Sequence, residues 1–144
     1  MRPSTLLATV VGFAALGAAC GSGGSGRPPV VVALAGQTVA TAKLETIAGG
    51  VCRAAGEAAT SVDTARNTFF GVSHDGLHLI ARGLQDDKQI DASAALLEAK
   101  QKVEADFLDP PPAGRLEADL RALAAVTRSG LAHFKVPADP CTPP

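Results

Sequence analysis

Apolar residues recur every three or four positions along most of the chain after residue 40, the spacing that places side chains on one face of an α-helix. Four segments carry this pattern, and stretches rich in polar residues, glycine or proline separate them. Their apolar positions are Leu44, Ile47 and Val51; Val62, Ala65, Phe69, Val72 and Ile80; Ala92, Leu96, Ala99, Val103 and Phe107; and Leu116, Leu120, Leu123, Thr127, Leu131 and Phe134. The pattern predicts an all-α fold, a small bundle of about four helices.

Residues at the ends of these segments predict where the helices begin and stop. Thr41 and Ser61 are suitable N-caps for the first two helices. The third helix is predicted over about 87–108, because residues 110–112 are all proline and cannot continue it. Pro137 ends the fourth helix.

The second helix contains two features that a regular amphipathic helix lacks. Gly71 and Gly76 disfavour the helix interior, so they predict either close contact with another helix or a local break near His74. Phe69 lies on the apolar face by its spacing, and we expect its neighbour Phe70 to pack in the core as well. The alternative is that Phe70 forms a half-apolar surface patch with His74 and Leu77 that could meet a partner.

A short β-branched run, Val30–Leu34, precedes the helices and ends at Gly36. This composition predicts an extended segment. No second run with an obvious pairing pattern follows, so we expect a lone strand without a hairpin partner.

The first 19 residues have the three parts of a secretory signal peptide. Arg2 supplies the positive charge, an apolar run covers 6–16, and the small residues Gly17, Ala18 and Ala19 precede Cys20. The run is shorter than the roughly 20 apolar residues that a membrane-spanning helix needs. We therefore predict a cleaved signal peptide over 1–19.

The segment Leu16-Gly17-Ala18-Ala19-Cys20 resembles the lipobox of bacterial lipoproteins, although the lipobox leucine usually lies where this chain has Gly17. The resemblance implies that Cys20 becomes the first mature residue and carries a diacylglyceryl thioether, usually with a further acyl chain such as palmitate. It implies a secreted protein anchored to the extracytoplasmic face of the cell membrane. Residues 20–29 then form a Gly/Ser/Pro linker, and 30–144 form the helical domain.

Composition disfavours two classes of ligand. The full chain has 13 basic and 14 acidic residues; removal of Arg2 with the signal leaves 12 and 14, a net charge of −2. The chain has no Trp or Tyr. Nucleic-acid binding, which relies on positive charge and stacking rings, is therefore not expected, and carbohydrate binding is disfavoured.

With Cys20 assigned to lipid, Cys52 and Cys141 remain. Two thiols in an oxidising compartment usually pair, so we predict one disulfide that closes a loop of about 90 residues. Two free thiols or an intermolecular link are the alternatives. If the bridge forms, a second extended piece, residues 134–136, should lie near the N-terminal extended segment.

The run from Val31 to Val39, followed by a helix, resembles the opening of parvulin-type periplasmic foldases, in which a strand, a glycine turn and a helix begin a chaperone-like helical domain. The resemblance covers about 20 residues of this chain. It implies a chaperone-like helical domain as one alternative function, without an isomerase domain in a chain of this length.

The densest polar cluster spans residues 73–78. His74 and His78 are four residues apart, so their imidazoles share one helix face, as zinc and copper ligands on helices do. Asp75 is a candidate third ligand. Further ligands would have to come from residues elsewhere in the chain, namely Glu98, Glu104, Asp106 or His133.

Ser73, His74 and Asp75 also contain the residue types of a hydrolase triad. Consecutive helix positions point about 100° apart, whereas a triad requires the three groups to converge. We therefore expect no catalytic activity and no cofactor.

The sequence predicts a membrane-anchored binding domain whose protein or small-molecule partner it does not specify. Metal binding by His74 and His78, with zinc or copper, is the alternative. A structural role for both histidines accounts for the same pattern without any ligand.

Overall fold

The computed structural model describes residues 29–112, 114–138 and 141. The predicted signal peptide, Cys20 and nearly all of the linker lie outside these residues. Eight elements follow one another: β1 Val31–Leu34, β2 Gln37–Ala40, α1 Thr41–Ala58, α2 Val62–Thr68, a π-helical turn Phe69–Ser73, α3 His74–Asp86, α4 Ile90–Leu108 and α5 Arg115–His133.

The predicted small helical bundle is confirmed. The helix α2, the π-helical turn and α3 follow one another without a break, so they correspond to the second of the four predicted helices. Fully buried leucines from α1, α3, α4 and α5 meet in one core; they include Leu44, Leu77, Leu84, Leu96, Leu120 and Leu131. None of the helices that the structure describes has the length and apolarity needed to cross a membrane.

The prediction of a lone strand is wrong, because β1 pairs antiparallel with β2 from Val31↔Ala40 to Leu34↔Gln37. The connecting residues Ala35 and Gly36 both have positive φ, +50° and +72°. Tight hairpin turns need this backbone, which Asn-Gly usually supplies. With alanine in the first position, the sequence lacks the usual signal for the turn.

The helix ends follow the sequence in part. Ser61 caps α2 as predicted, since its Oγ accepts a hydrogen bond from the Thr64 N–H at 3.2 Å. Thr41 is not a cap; it is the first residue of α1. The third predicted helix begins at Ile90, because the preceding helix continues to Asp86 and ends in a turn where Lys88 has φ +63°.

The predicted disulfide is confirmed. Cys52 on α1 is bonded to Cys141, and their Cα atoms are 5.1 Å apart. The end of α5 lies near the hairpin as expected: a Cβ at Gly83 would lie 2.6 Å from a Leu34 methyl carbon and 3.3 Å from the Phe134 ring. The segment 134–136 turns rather than extends, since Lys135 has φ +59°.

Candidate functional site at the π-helical turn

The predicted polar cluster lies where the second helix changes from α to π geometry. In the turn Phe69–Ser73 the His74 N–H donates to the Phe69 carbonyl five residues earlier. A π-turn contains one more residue than an α-helical turn, and such turns are frequent at functional sites. It lies next to the residues whose chemistry the sequence had singled out.

Tight packing against α1 holds the turn in place. The buried Ser73 hydroxyl donates a 2.8 Å hydrogen bond to the Ile47 carbonyl. Glycines make the approach possible, because a Cβ at Gly50 would lie 2.3 Å from Ser73 Oγ, and one at Gly76 would lie 2.2 Å from Ile47 Cδ1. Gly76 therefore provides the close helix contact that the sequence suggested, whereas Gly71 lies exposed within the π-turn.

The extra residue changes which side chains face the core. Phe69, Ser73 and Leu77 are buried, whereas Val72 is only half-buried. Phe70 points outward and is 44 % exposed, so the expectation that both phenylalanines pack in the core is wrong for Phe70. A partly exposed aromatic ring therefore lies within the π-turn.

His74 joins two carboxylates on the surface of the bundle. Its Nδ1 lies 2.9 Å from Asp75 Oδ1, and its Nε2 lies 2.7 Å from Glu104 Oε1 on α4. The same Glu104 oxygen accepts a 2.6 Å hydrogen bond from Lys100 Nζ. Lys100 is only 3 % exposed, so the Lys100–Glu104–His74 chain extends from the interior to the surface.

The rings of Phe70 and His78 lie on either side of the His74 ring along the helix. The ring centroids of Phe70 and His74 are 5.2 Å apart, and those of His74 and His78 are 5.1 Å apart. We call Phe70, His74, His78 and Glu104 together the imidazole face. Its members come from the π-turn, α3 and α4.

Burial and neighbouring charges set the ionisation of the imidazole face. Partial burial opposes ionisation of Glu104, but the hydrogen bonds from Lys100 and His74 outweigh it and hold the Glu104 pKa below its ordinary value. Partial burial, followed by the positive charges of Lys100 and His74, lowers the pKa of His78. Glu104 is therefore favoured as a carboxylate and His78 as a neutral imidazole.

The structure brings together only some of the predicted metal ligands. His74 and His78 are neighbours, and Glu104 reaches His74. His133 is elsewhere, with its Nε2 3.3 Å from Asp87 Oδ2. Within the part of the chain that the structure describes, no three His, Cys, Asp or Glu side chains converge on a position suited to a metal ion. Metal binding stays a prediction.

The residues of the hydrolase hypothesis do not form a relay. The Ser73 hydroxyl is fully buried and donates to the Ile47 carbonyl, so that hydrogen bond is not directed to His74. Asp75 lies on the exposed surface. A triad would require the serine oxygen to be accessible and hydrogen-bonded to the imidazole.

No known protein family, curated protein or solved structure matches this chain. Of the members of the imidazole face, His74, His78 and Glu104 were candidates from the sequence, whereas the buried Lys100 behind them was missed.

Proposed function

We propose that this chain is a lipid-anchored extracytoplasmic protein that binds a protein or peptide partner through the imidazole face. The observation that carries the proposal is the exposure of Phe70, whose ring lies beside His74. Aromatic side chains surrounded by polar groups dominate the binding energy of many protein interfaces.

The imidazole face is also well ordered for binding. The Glu104 carboxylate is fixed by Lys100, and His74 is fixed by Glu104 and by contact with the tilted Phe70 ring. Groups already held in one geometry lose little conformational entropy when a partner binds. This order supports recognition of a folded or extended polypeptide.

The disulfide supports the extracytoplasmic part of the proposal. Disulfides form and persist in oxidising compartments and are rare in the cytosol. The bridge between Cys52 and Cys141 agrees with export by the predicted signal peptide. Anchoring itself depends on lipidation of Cys20.

Membrane fractionation of the Cys20→Ala chain tests the anchoring. We expect the unchanged chain in the membrane fraction with acyl mass on Cys20, and the variant without acyl mass, either uncleaved or released. A variant that stays at the membrane with the same acyl mass would contradict lipidation at Cys20.

Site-specific photo-crosslinking in living cells tests the imidazole face. A photoreactive residue replaces Phe70 in the full chain, and a matched control carries it at Ile90, another exposed apolar residue. We expect a discrete crosslinked species from position 70 only, and its loss when His74→Ala is added. Equal crosslinking from both positions, or none from position 70, would argue against the proposal.

Metal capture is the second candidate, favoured by the 5.1 Å separation of the His74 and His78 rings. The ammonium of Lys100 beside Glu104 opposes a cation there. Elemental analysis of the purified chain distinguishes the candidates. Stoichiometric zinc or copper that is lost in both His74→Ala and His78→Ala would favour the metal; its absence would favour polypeptide binding.

A further inference from the structure

The outer face of the β-hairpin lacks the charge expected of a solvated strand face. In an antiparallel sheet with one buried side, the other side is usually polar. Leu34 and Val39 point into the core, so the alternate positions point outward. Those outward residues are Val31, Ala33, Thr38 and Ala40, and none of them is charged.

Val30, the residue that precedes the hairpin, alternates to the side of the strand opposite Val31, and it is exposed as well. Val30 is 70 % exposed and Val31 is 48 % exposed, and both are among the few large apolar side chains that the bundle leaves outside. Exposed apolar side chains grouped at one end of a fold mark a contact with a partner or a membrane. The position of this group close to Cys20 in the sequence decides between the two.

Only nine residues, 21–29, lie between Cys20 and Val30, and all but Arg27 are glycine, serine or proline. The ten Cα–Cα steps from Cys20 to Val30 reach at most about 35 Å even when fully extended. If Cys20 carries lipid, the hairpin is therefore held within about 35 Å of the bilayer surface. A short covalent connection gives a high effective concentration, so a weak contact suffices.

We propose that the outer face of the hairpin rests on the lipid surface at the boundary between headgroups and acyl chains. The inference rests on the proposed lipidation of Cys20. An uncharged, mostly apolar face suits this boundary, where apolar side chains bury while the backbone stays near polar headgroups.

Because the chain contains no tryptophan, a single Val31→Trp substitution provides a unique fluorophore. The full lipidated chain is reconstituted in phosphatidylcholine–phosphatidylglycerol vesicles with and without brominated acyl chains. We expect emission at shorter wavelength than for the unlipidated Cys20→Ala chain in solution, and loss of intensity with the brominated lipid. The matched control is Leu108→Trp, at the exposed last residue of α4, which should show neither change.

A second variant checks that tryptophan itself does not create the contact. Adding Ala33→Asp to the Val31→Trp chain places a charge on the face and should abolish both the shift and the quenching. Vesicle flotation and acyl mass report on anchoring separately. A chain that floats but gives the same water-exposed emission at both tryptophan positions overturns the hairpin inference and leaves lipidation intact.

Two other outcomes also overturn the inference. A shift to shorter wavelength without quenching by brominated lipid would mean that a protein surface, such as a second copy of the chain, covers the hairpin. A chain that neither floats nor carries acyl mass would refute the anchoring and the lipid contact together.

Discussion

At the scale of single residues, the least expected feature is a pair of buried carboxyl groups between α4 and α5. Asp106 and Asp119 are 5 % and 7 % exposed, and one oxygen of each has no hydrogen-bond partner. Burial and the neighbouring Asp119 raise the pKa of Asp106. Burial also opposes ionisation of Asp119, but Lys102, 2.7 Å away, helps to hold its pKa below the ordinary value.

These opposite directions predict opposite effects of removing each charge. Since folding raises the Asp106 pKa, ionised Asp106 costs stability above that raised pKa, and the cost vanishes below the pKa of an unfolded aspartate. We expect Asp106→Asn to raise the melting temperature at pH 7 by about 4 °C, for a gain of about 1 kcal/mol, and to give no gain at pH 3. Thermal unfolding followed by circular dichroism at both pH values measures it.

Asp119→Asn is the matched control. The lowered Asp119 pKa contributes stability at neutral pH that is lost as the pH falls through that value, so this variant should melt earlier than the unchanged chain at pH 7. Two variants that shift the melting temperature in the same direction at pH 7 would show that the charges are not arranged as described.

Two lysines occupy backbone positions that favour glycine. Lys88 has φ +63° after α3; its N–H donates to the Gln85 carbonyl and the Gln89 N–H donates to the Leu84 carbonyl. This is the Schellman ending of a helix, in which a non-glycine residue at the left-handed position costs about 1 kcal/mol. Lys135 ends α5 in the same way.

We therefore expect Lys88→Gly to stabilise the protein by about 1 kcal/mol in urea unfolding. Lys88→Ala should give no such gain, because alanine also has a Cβ that crowds the left-handed backbone. Equal effects of the two substitutions would attribute the change to loss of the lysine charge instead.

At the scale of helices, adjacent glycines in α1 make opposite predictions. A Cβ at Gly49 would meet nothing within 4 Å, whereas one at Gly50 would lie 2.3 Å from Ser73 Oγ and 2.7 Å from a Val72 methyl carbon. Gly49→Ala should stabilise the chain by about 1 kcal/mol through helix propensity. Gly50→Ala should destabilise it by about 1 to 3 kcal/mol through overpacking against the π-turn.

Urea unfolding of both variants measures these changes, and the α-helical content of the folded state serves as a check on the fold. The pair is informative because propensity alone predicts a gain at both positions. A gain of similar size at Gly50 would mean that α1 and the π-turn do not pack as closely as the structure has them.

The helices could be predicted because each has a long apolar stripe of constant period, as the run from Leu116 to Leu131 has. The hairpin could not be predicted, since its turn has Ala35 at the position where asparagine is the usual signal for a hairpin turn. The sequence did not predict the π-turn either. Gly71 and Gly76 indicated an irregularity near His74, but the hydrogen bond that fixes it goes from Ser73 to Ile47, which is distant in sequence.

Only part of the imidazole face could be predicted from the sequence. The four-residue spacing of His74 and His78 correctly implied neighbouring rings, because that relation is internal to one helix. The exposure of Phe70 in the π-turn was not predicted. The approach of Glu104 depends on how α3 and α4 pack, which helical spacing alone does not determine.

At the scale of the whole molecule, the disulfide constrains the chain more than any other single contact. Cys52 and Cys141 are 89 residues apart in sequence, so the bridge links α1 to the end of the described chain and encloses α2 to α5. In the chain-entropy account, closing a loop of that length in the unfolded state stabilises the fold by about 4 to 5 kcal/mol. That is a large share of the 5 to 15 kcal/mol typical of a domain.

Reduction should therefore lower the melting temperature sharply. This loss of stability should occur only when Cys52 and Cys141 are both present. We expect a reducing agent to destabilise the unchanged chain by about 4 kcal/mol and to leave the Cys52→Ala, Cys141→Ala double variant unaffected. That variant should already melt near the temperature of the reduced chain, which circular dichroism measures. Because helix packing, and not the bridge, defines the core, it should remain helical at low temperature. A double variant that melts with the oxidised chain would show that the bridge contributes little, and one without helix would show that the bundle cannot form without it.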